Sequence, residues 1–155
     1  MTIDENFLFN SKILIVDDEP LNLDLLKQVL KINGVENVFQ TTEPRKVNRL
    51  YLEVNPDLII LDVLMPGLDG FEVLEGLQKL EADNTGDIDI FLPPVMFLTA
   101  NSSTDVMVRA FEAGANEFMT KPYKVEELIY RIKNQLKVGQ LKKQLQAKHE
   151  DQKKY

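Results

Sequence analysis

Residues 56–74 read PDLIILDVLMPGLDGFEVL, in which the four apolar residues Leu58–Leu61 run without a polar break between Pro56-Asp57 and Asp62. A short apolar run with no alternation suits a strand covered on both faces, the condition of a parallel sheet sandwiched between helices. Two further runs of this kind occur at residues 13–16 (ILIV) and 95–98 (VMFL), and more polar strands are expected at Asn37–Thr41 and at residues 117–119. Between them, apolar residues recur at helical spacing. The stripes are Leu23, Leu26 and Leu30 with Leu25 and Val29; Val47, Leu50, Tyr51 and Val54; and Phe71, Leu74 and Leu77 with Val73 and Leu80. Two more follow, Val106, Ala110 and Phe111, then Leu128, Ile129, Ile132 and Leu136 from a start near Val125. Strand and helix alternate five times, so an α/β domain with a doubly wound parallel sheet is expected.

The ends of these stripes carry the usual signals. Asn33-Gly34 and Gly114 stop helices, Thr42-Glu43-Pro44 opens one, and Ser102, Ser103 or Thr104 caps another. Two stretches fall outside the pattern. Residues 81–94 (EADNTGDIDIFLPP) are long for a connection in an α/β unit and read as an insertion loop. Beyond Leu136, Val138, Leu141 and Leu145 continue at heptad spacing for about two heptads, fewer than a self-sufficient coiled coil needs. Gly139 at that junction counts against a stiff helix, by about 1 kcal/mol relative to Ala. The chain accordingly divides into an N-terminal extension (1–10), one domain (11–138) and a helical linker or tail (139–155).

The chain of 155 residues is 44% hydrophobic, with a net charge of −7 and no cysteine. That is enough to bury one core, and it excludes disulfides, thiolate metal sites and thiol nucleophiles. No apolar run reaches the roughly 20 residues that cross a bilayer, and MTIDENF has neither the basic nor the apolar part of a signal peptide, so a cytoplasmic protein is expected. The charge is unevenly placed. Six lysines against Glu150 and Asp151 give residues 137–155 a local +4, which leaves −11 on residues 1–136. Membrane binding is not expected, and nucleic acid is a poor partner for so acidic a domain.

In an open α/β sheet, ligands bind outside the carboxyl ends of the strands. Those ends deliver Asp17-Asp18-Glu19, Asp62, Thr99-Ala100 and Thr120-Lys121-Pro122. Taken alone, Asp18 or Glu19 reads equally well as a helix cap, Asp62 as a turn residue before Pro66-Gly67, and Lys121 as a solvated strand end. Together they read differently. Carboxylates held a few ångströms apart repel unless a cation sits among them, and an oxygen-only set suits Mg²⁺, with Mn²⁺ as a substitute. Beside a metal and a lysine, Asp62 becomes a candidate phosphoryl acceptor, since an aspartate forms an acyl phosphate without a general base.

The strings KILIVDDEP (12–20), PDLIILDVLMPGLDGFEVL (56–74), PVMFLTA (94–100) and EFMTKPY (117–123) resemble the receiver domain of bacterial two-component response regulators, in the same order and at similar spacing over residues 11–138. The resemblance implies a flavodoxin-like (βα)5 fold with strand order 2-1-3-4-5 and an extended C-terminal helix. It implies phosphorylation of Asp62 by a sensor histidine kinase or phosphotransfer protein, with Mg²⁺ held by Asp17, Asp18, Asp62 and the backbone carbonyl of Leu64. Thr99, Ala100 and Lys121 would meet the phosphoryl group, Phe118 would be the aromatic switch residue, and Pro122 a cis proline. The output domain or downstream protein would engage the fourth helix, fifth strand and fifth helix of the pattern, and the C-terminal helix would offer a homodimer contact.

Four features depart from the family pattern. The 81–94 loop is long, Phe118 lacks a hydroxyl, Leu64 cannot hydrogen-bond the attacking water, and Asn101 stands two residues after Thr99. Three other readings compete with a phosphoacceptor. A flavin carrier would need a Ser, Thr or Gly-rich loop where DDEP stands, and an aspartate-nucleophile phosphatase would carry an acid at position 64. The third is a phosphorylation-independent interaction module of the same fold.

Overall fold

A computed structural model describes residues 5–85 and 92–153. The strands are β1 (Lys12–Val16), β2 (Asn37–Thr41), β3 (Leu58–Leu61), β4 (Val95–Thr99) and β5 (Glu117–Thr120). They form one parallel sheet in the order β2-β1-β3-β4-β5. The helices are α1 (Glu5–Asn10), α2 (Pro20–Ile32), α3 (Val47–Val54), α4 (Gly70–Thr85), α5 (Thr104–Glu112) and α6 (Val125–Lys153), with a single 3₁₀ turn, Pro44–Lys46, leading into α3.

The unbroken apolar runs have the expected cause. Successive side chains of a strand point to opposite faces. Leu14, Val16, Ile59, Leu61, Val95 and Phe97 pack under α3, α4 and α5, while Ile13, Ile15, Leu58, Ile60, Met96 and Leu98 pack under α2 and α6. The three central strands are therefore dry on both faces apart from Lys12, while the edge strands β2 and β5 stay partly exposed.

Helix limits follow local chemistry. Pro20 begins α2, Ser103 Oγ accepts a hydrogen bond from Val106 N at the start of α5, and Gly114 leaves α5 at φ +108°. Asp69 and Glu72 exchange backbone-to-side-chain hydrogen bonds at the start of α4, a reciprocal capping box.

Three elements differ from the sequence reading. α1 lies in the stretch expected to be a plain extension, and Leu8 anchors it by burying itself with Ile13, Leu30 and Leu58. α4 runs through Thr85, so residues 81–85 are helix and the 81–94 connection is shorter than expected; residues 86–91 lie outside the described residues. α6 continues unbroken through Gly139. The stripes of α2 and α5 are also narrower than their spacing suggests, since Leu25 and Phe111 are half exposed.

Candidate functional site: an acidic pocket at the strand ends

The ladder carries the key residues to one rim. Beyond β1 and β3, Asp62 N donates to Val16 O at 3.0 Å and Asp17 N to Thr41 O at 3.4 Å, so Asp17 and Asp62 leave neighbouring strands side by side. Carboxylate oxygens of Asp17, Asp18 and Asp62 all lie within 4.8 Å of one another. Lys121 N continues the β4–β5 pairing by donating to Thr99 O at 2.8 Å, and the peptide bond from Lys121 to Pro122 is cis. Lys121 reaches back from there, its Nζ 2.7 Å from Asp17 Oδ2 and 3.7 Å from Asp62 Oδ2.

Each group is held in place. Asp17 accepts from Glu19 N at 3.0 Å and from the Asn22 side chain at 3.3 Å. Asp62 accepts from Leu64 N at 3.3 Å, an asx-type turn that orients the carboxylate. Thr99 is fully buried and takes Asn101 N on its hydroxyl oxygen at 3.3 Å. Burial pushes the Asp62 carboxyl above the usual carboxylate range. Lys121 opposes that shift and Asp17 reinforces it. Thus the negative charge at Asp62 is poorly solvated and only partly compensated.

This donor set fits Mg²⁺ or Mn²⁺. Three carboxylates with no histidine or thiolate are hard oxygen ligands, and their mutual repulsion is relieved by a divalent cation in a way that one lysine, drawn mainly to Asp17, does not match. Ala100 is exposed just past β4, and Leu64 is exposed beside Asp62. Phe118 lies on β5 facing the α3–α4–α5 side, partly buried against that core.

Gly70 borders the site. A Cβ there would collide with the backbone carbonyl of Asp62 and lie 2.8 Å from the Phe97 ring. The start of α4 can approach the Asp62 backbone only because position 70 has no side chain. Asn22 was absent from the sequence reading, because nothing local tells that a polar residue in the first turn of α2 faces Asp17.

Fold and pocket together define an α/β domain with an acidic, cation-accepting rim at its strand termini. Residues 13–133 match the family model of the response regulator receiver domain, and the chain belongs to that family. It is 37% identical over 122 residues to the DNA-binding dual master transcriptional regulator RpaA of Synechocystis, an alignment covering 79% of this chain and 47% of that protein. It is 34% identical over 128 residues to the transcriptional regulatory protein YvrH of Bacillus subtilis, covering 83% and 50%. The chain thus spans about half the length of these curated relatives. Among solved structures, the receiver domain of Francisella response regulator 1452 superposes with a TM-score of 0.68 at 28% identity, covering 83% of this chain and 98% of that one. The signal receiver domain of a signal transduction histidine kinase from Syntrophus aciditrophicus gives 0.68 at 35% identity, covering 82% and 90%. Among the described residues, no helix is long and apolar enough to cross a membrane.

Proposed function

We propose that the chain is the phosphoacceptor domain of a two-component response regulator, spanning residues 11–138 and phosphorylated on Asp62. The observation that carries this reading is the convergence of Asp17, Asp18 and Lys121 on the buried Asp62 carboxylate, with Thr99 at its side. An Asp62 carboxylate oxygen attacks phosphorus, the phosphorus–nitrogen bond of a phosphohistidine breaks, and the imidazole nitrogen leaves with the electron pair. Asp17, Asp18, Asp62 and the carbonyl of Leu64 would hold Mg²⁺, whose charge offsets that of the transferred oxygens. The domain is an acceptor that catalyses only its own transfer and hydrolysis. A sensor histidine kinase or phosphotransfer protein is the donor, and the same reading places the chain in the cytoplasm, where such kinases draw their ATP.

The phosphoryl group adds about −1.5 to −2 charges and strong acceptor oxygens. Lys121 and the Thr99 hydroxyl satisfy those oxygens when the loops after β4 and β5 move inward, and the α5–β5–α6 surface with Phe118 reads out the change to an output domain or partner. Reversing the populations of two states takes about 5.5 kcal/mol, within reach of two or three charge-assisted hydrogen bonds. Residues 139–155 would link to that output or pair two copies. Acetyl phosphate with Mg²⁺, followed by peptide mass spectrometry, tests the site: label is expected on Asp62 and on no other residue. Equal labelling of parent and Asp62→Ala would overturn the assignment, and no labelling of the parent would favour a phosphorylation-independent interaction module.

A further inference from the structure

α6 is longer than the sheet it covers. A five-residue strand spans about 17 Å at 3.3 Å per residue. A helix rises 1.5 Å per residue, so starting beside Lys121 at the acidic rim, about a dozen residues return α6 to the opposite edge of the sheet. Gly139, about 21 Å along the helix from Val125, stands just past that edge, and the structure shows what it meets. A Cβ at position 139 would lie 2.9 Å from Cδ and 3.3 Å from Cγ of the Pro94 ring, and 3.4 Å from the carbonyl oxygen of Asp57.

One turn further on, Lys143 Nζ lies 2.5 Å from Asp57 Oδ1. Asp57 is itself fixed, since its Oδ2 accepts from Lys12 N at 2.8 Å and its own N donates to Lys12 O at 2.7 Å. Pro94 is tied in by its carbonyl, which accepts from Ile59 N at 3.0 Å. The beginnings of β1, β3 and β4 therefore all converge on one turn of α6. Between that turn and the end of α3 lies a cavity of about 280 Å³, walled by Tyr51, Asn55, Glu81 and Lys142. Tyr51 donates to Glu81 within this lining, and Gly139, Lys142 and Lys143 bring α6 into it.

We propose that the Gly139–Lys143 turn of α6 is a strap seated on the far edge of the sheet, with the Gly139–Pro94 contact and the Asp57–Lys143 ion pair as the seat, and that this seat sets the direction in which the rest of the helix leaves the domain. Gly139 is then not a weak point in a helix but the position at which the helix must touch a proline ring. Gly139 and Lys143 share one face. Val138, Leu141 and Leu145 lie on another and are exposed, so the seat holds this apolar stripe toward solvent at a fixed orientation. The strap requires neither Mg²⁺ nor phosphorylation, so it stands or falls apart from the acidic pocket.

Helix propensity and the seat predict opposite signs for Gly139→Ala. In a free helix the alanine stiffens the segment; in a seated one its methyl pushes the helix off Pro94. The chain contains no cysteine, so Glu53→Cys with Ala147→Cys places a unique pair of spin labels, one on α3 and one on α6 just past the strap. Pulsed distance measurement is expected to give a single narrow distribution in the parent, broadened about twofold or more by Gly139→Ala and by Lys143→Ala, with faster amide exchange confined to residues beyond 138. A broad distribution in the parent, or one that Gly139→Ala leaves unchanged or narrows, overturns the strap. Broadening by Gly139→Ala with none by Lys143→Ala removes the ion pair from the seat.

Discussion

The ammonium of Lys121 is 1.0 Å closer to Asp17 than to Asp62, at 2.7 Å against 3.7 Å. Lys121 thus neutralises Asp17 more fully and leaves Asp62 the less compensated of the two. The buried Asp62 carboxyl, raised above its usual range, is the electrostatic result. An incompletely paired carboxylate costs folding energy and remains available to a cation or a phosphorus atom.

That cost has a sign. Because the folded-state pKa of Asp62 is raised, its contribution to stability is fully present while the carboxyl is protonated and is lost as pH rises through the folded-state value. Asp62→Asn should therefore be more stable than the parent at neutral pH, by about 2–5 °C in Tm, with the gap closing as pH falls through the carboxylate range. Thermal melts of both proteins between pH 4 and pH 8 check this, and a parent that is the more stable at pH 7 would contradict it.

A divalent cation should reverse the penalty. At ten times its dissociation constant Mg²⁺ should stabilise the parent by about 1.4 kcal/mol, and Asp17→Asn should lose most of that gain. Urea melts with and without MgCl₂, at constant ionic strength, measure the difference. Equal stabilisation of the two proteins would mean that the ion binds elsewhere.

Removing Lys121 leaves Asp17 and Asp62 facing each other with no cation between them. Both carboxylates are nine-tenths buried while the lysine is 19% exposed, so Lys121→Ala should cost about 1–2 kcal/mol at pH 7, less than a fully buried pair, and less again at acid pH. Labelling by acetyl phosphate should fall alongside. Chemical denaturation at pH 5 and pH 7 separates the charge effect from simple loss of packing.

Gly70→Ala places a methyl group against the Asp62 carbonyl and the Phe97 ring. The backbone of Asp62 and the start of α4 must part, at about 1–3 kcal/mol, which the urea midpoint reports. Labelling of Asp62 by acetyl phosphate should drop as well, since its carboxylate moves with its backbone. Gly76→Ala is the control, because a Cβ there meets only ordinary contacts with Asn48, and it should be neutral or slightly stabilising.

Much of this protein is legible along the chain. The uninterrupted runs at β1, β3 and β4 announce strands buried on both faces, and the acids that close two of those runs announce the rim, because strand periodicity and the end of a hydrophobic segment are local properties. Asp17, Asp18, Asp62, Thr99 and Lys121 were all visible as strand-end residues for that reason. Their mutual arrangement was not. Which acid Lys121 favours, the hydrogen bond from Asn22, and the closeness that only Gly70 permits depend on side chains brought together from distant positions.

The same division explains the elements that differed. Gly139 and the 81–85 segment look like interruptions to any rule that weighs residues by their neighbours in sequence. The first is in fact a contact with Pro94, and the second extends α4 until Glu81 meets the Tyr51 hydroxyl. By itself, the sequence determined the alternating architecture and the chemistry available at the strand ends, since both arise from periodicity and from where hydrophobicity stops. Tertiary structure alone decided how the charge of Lys121 is shared, how closely α4 approaches Asp62 and how far α6 runs, since each depends on a distance between residues that the chain keeps far apart.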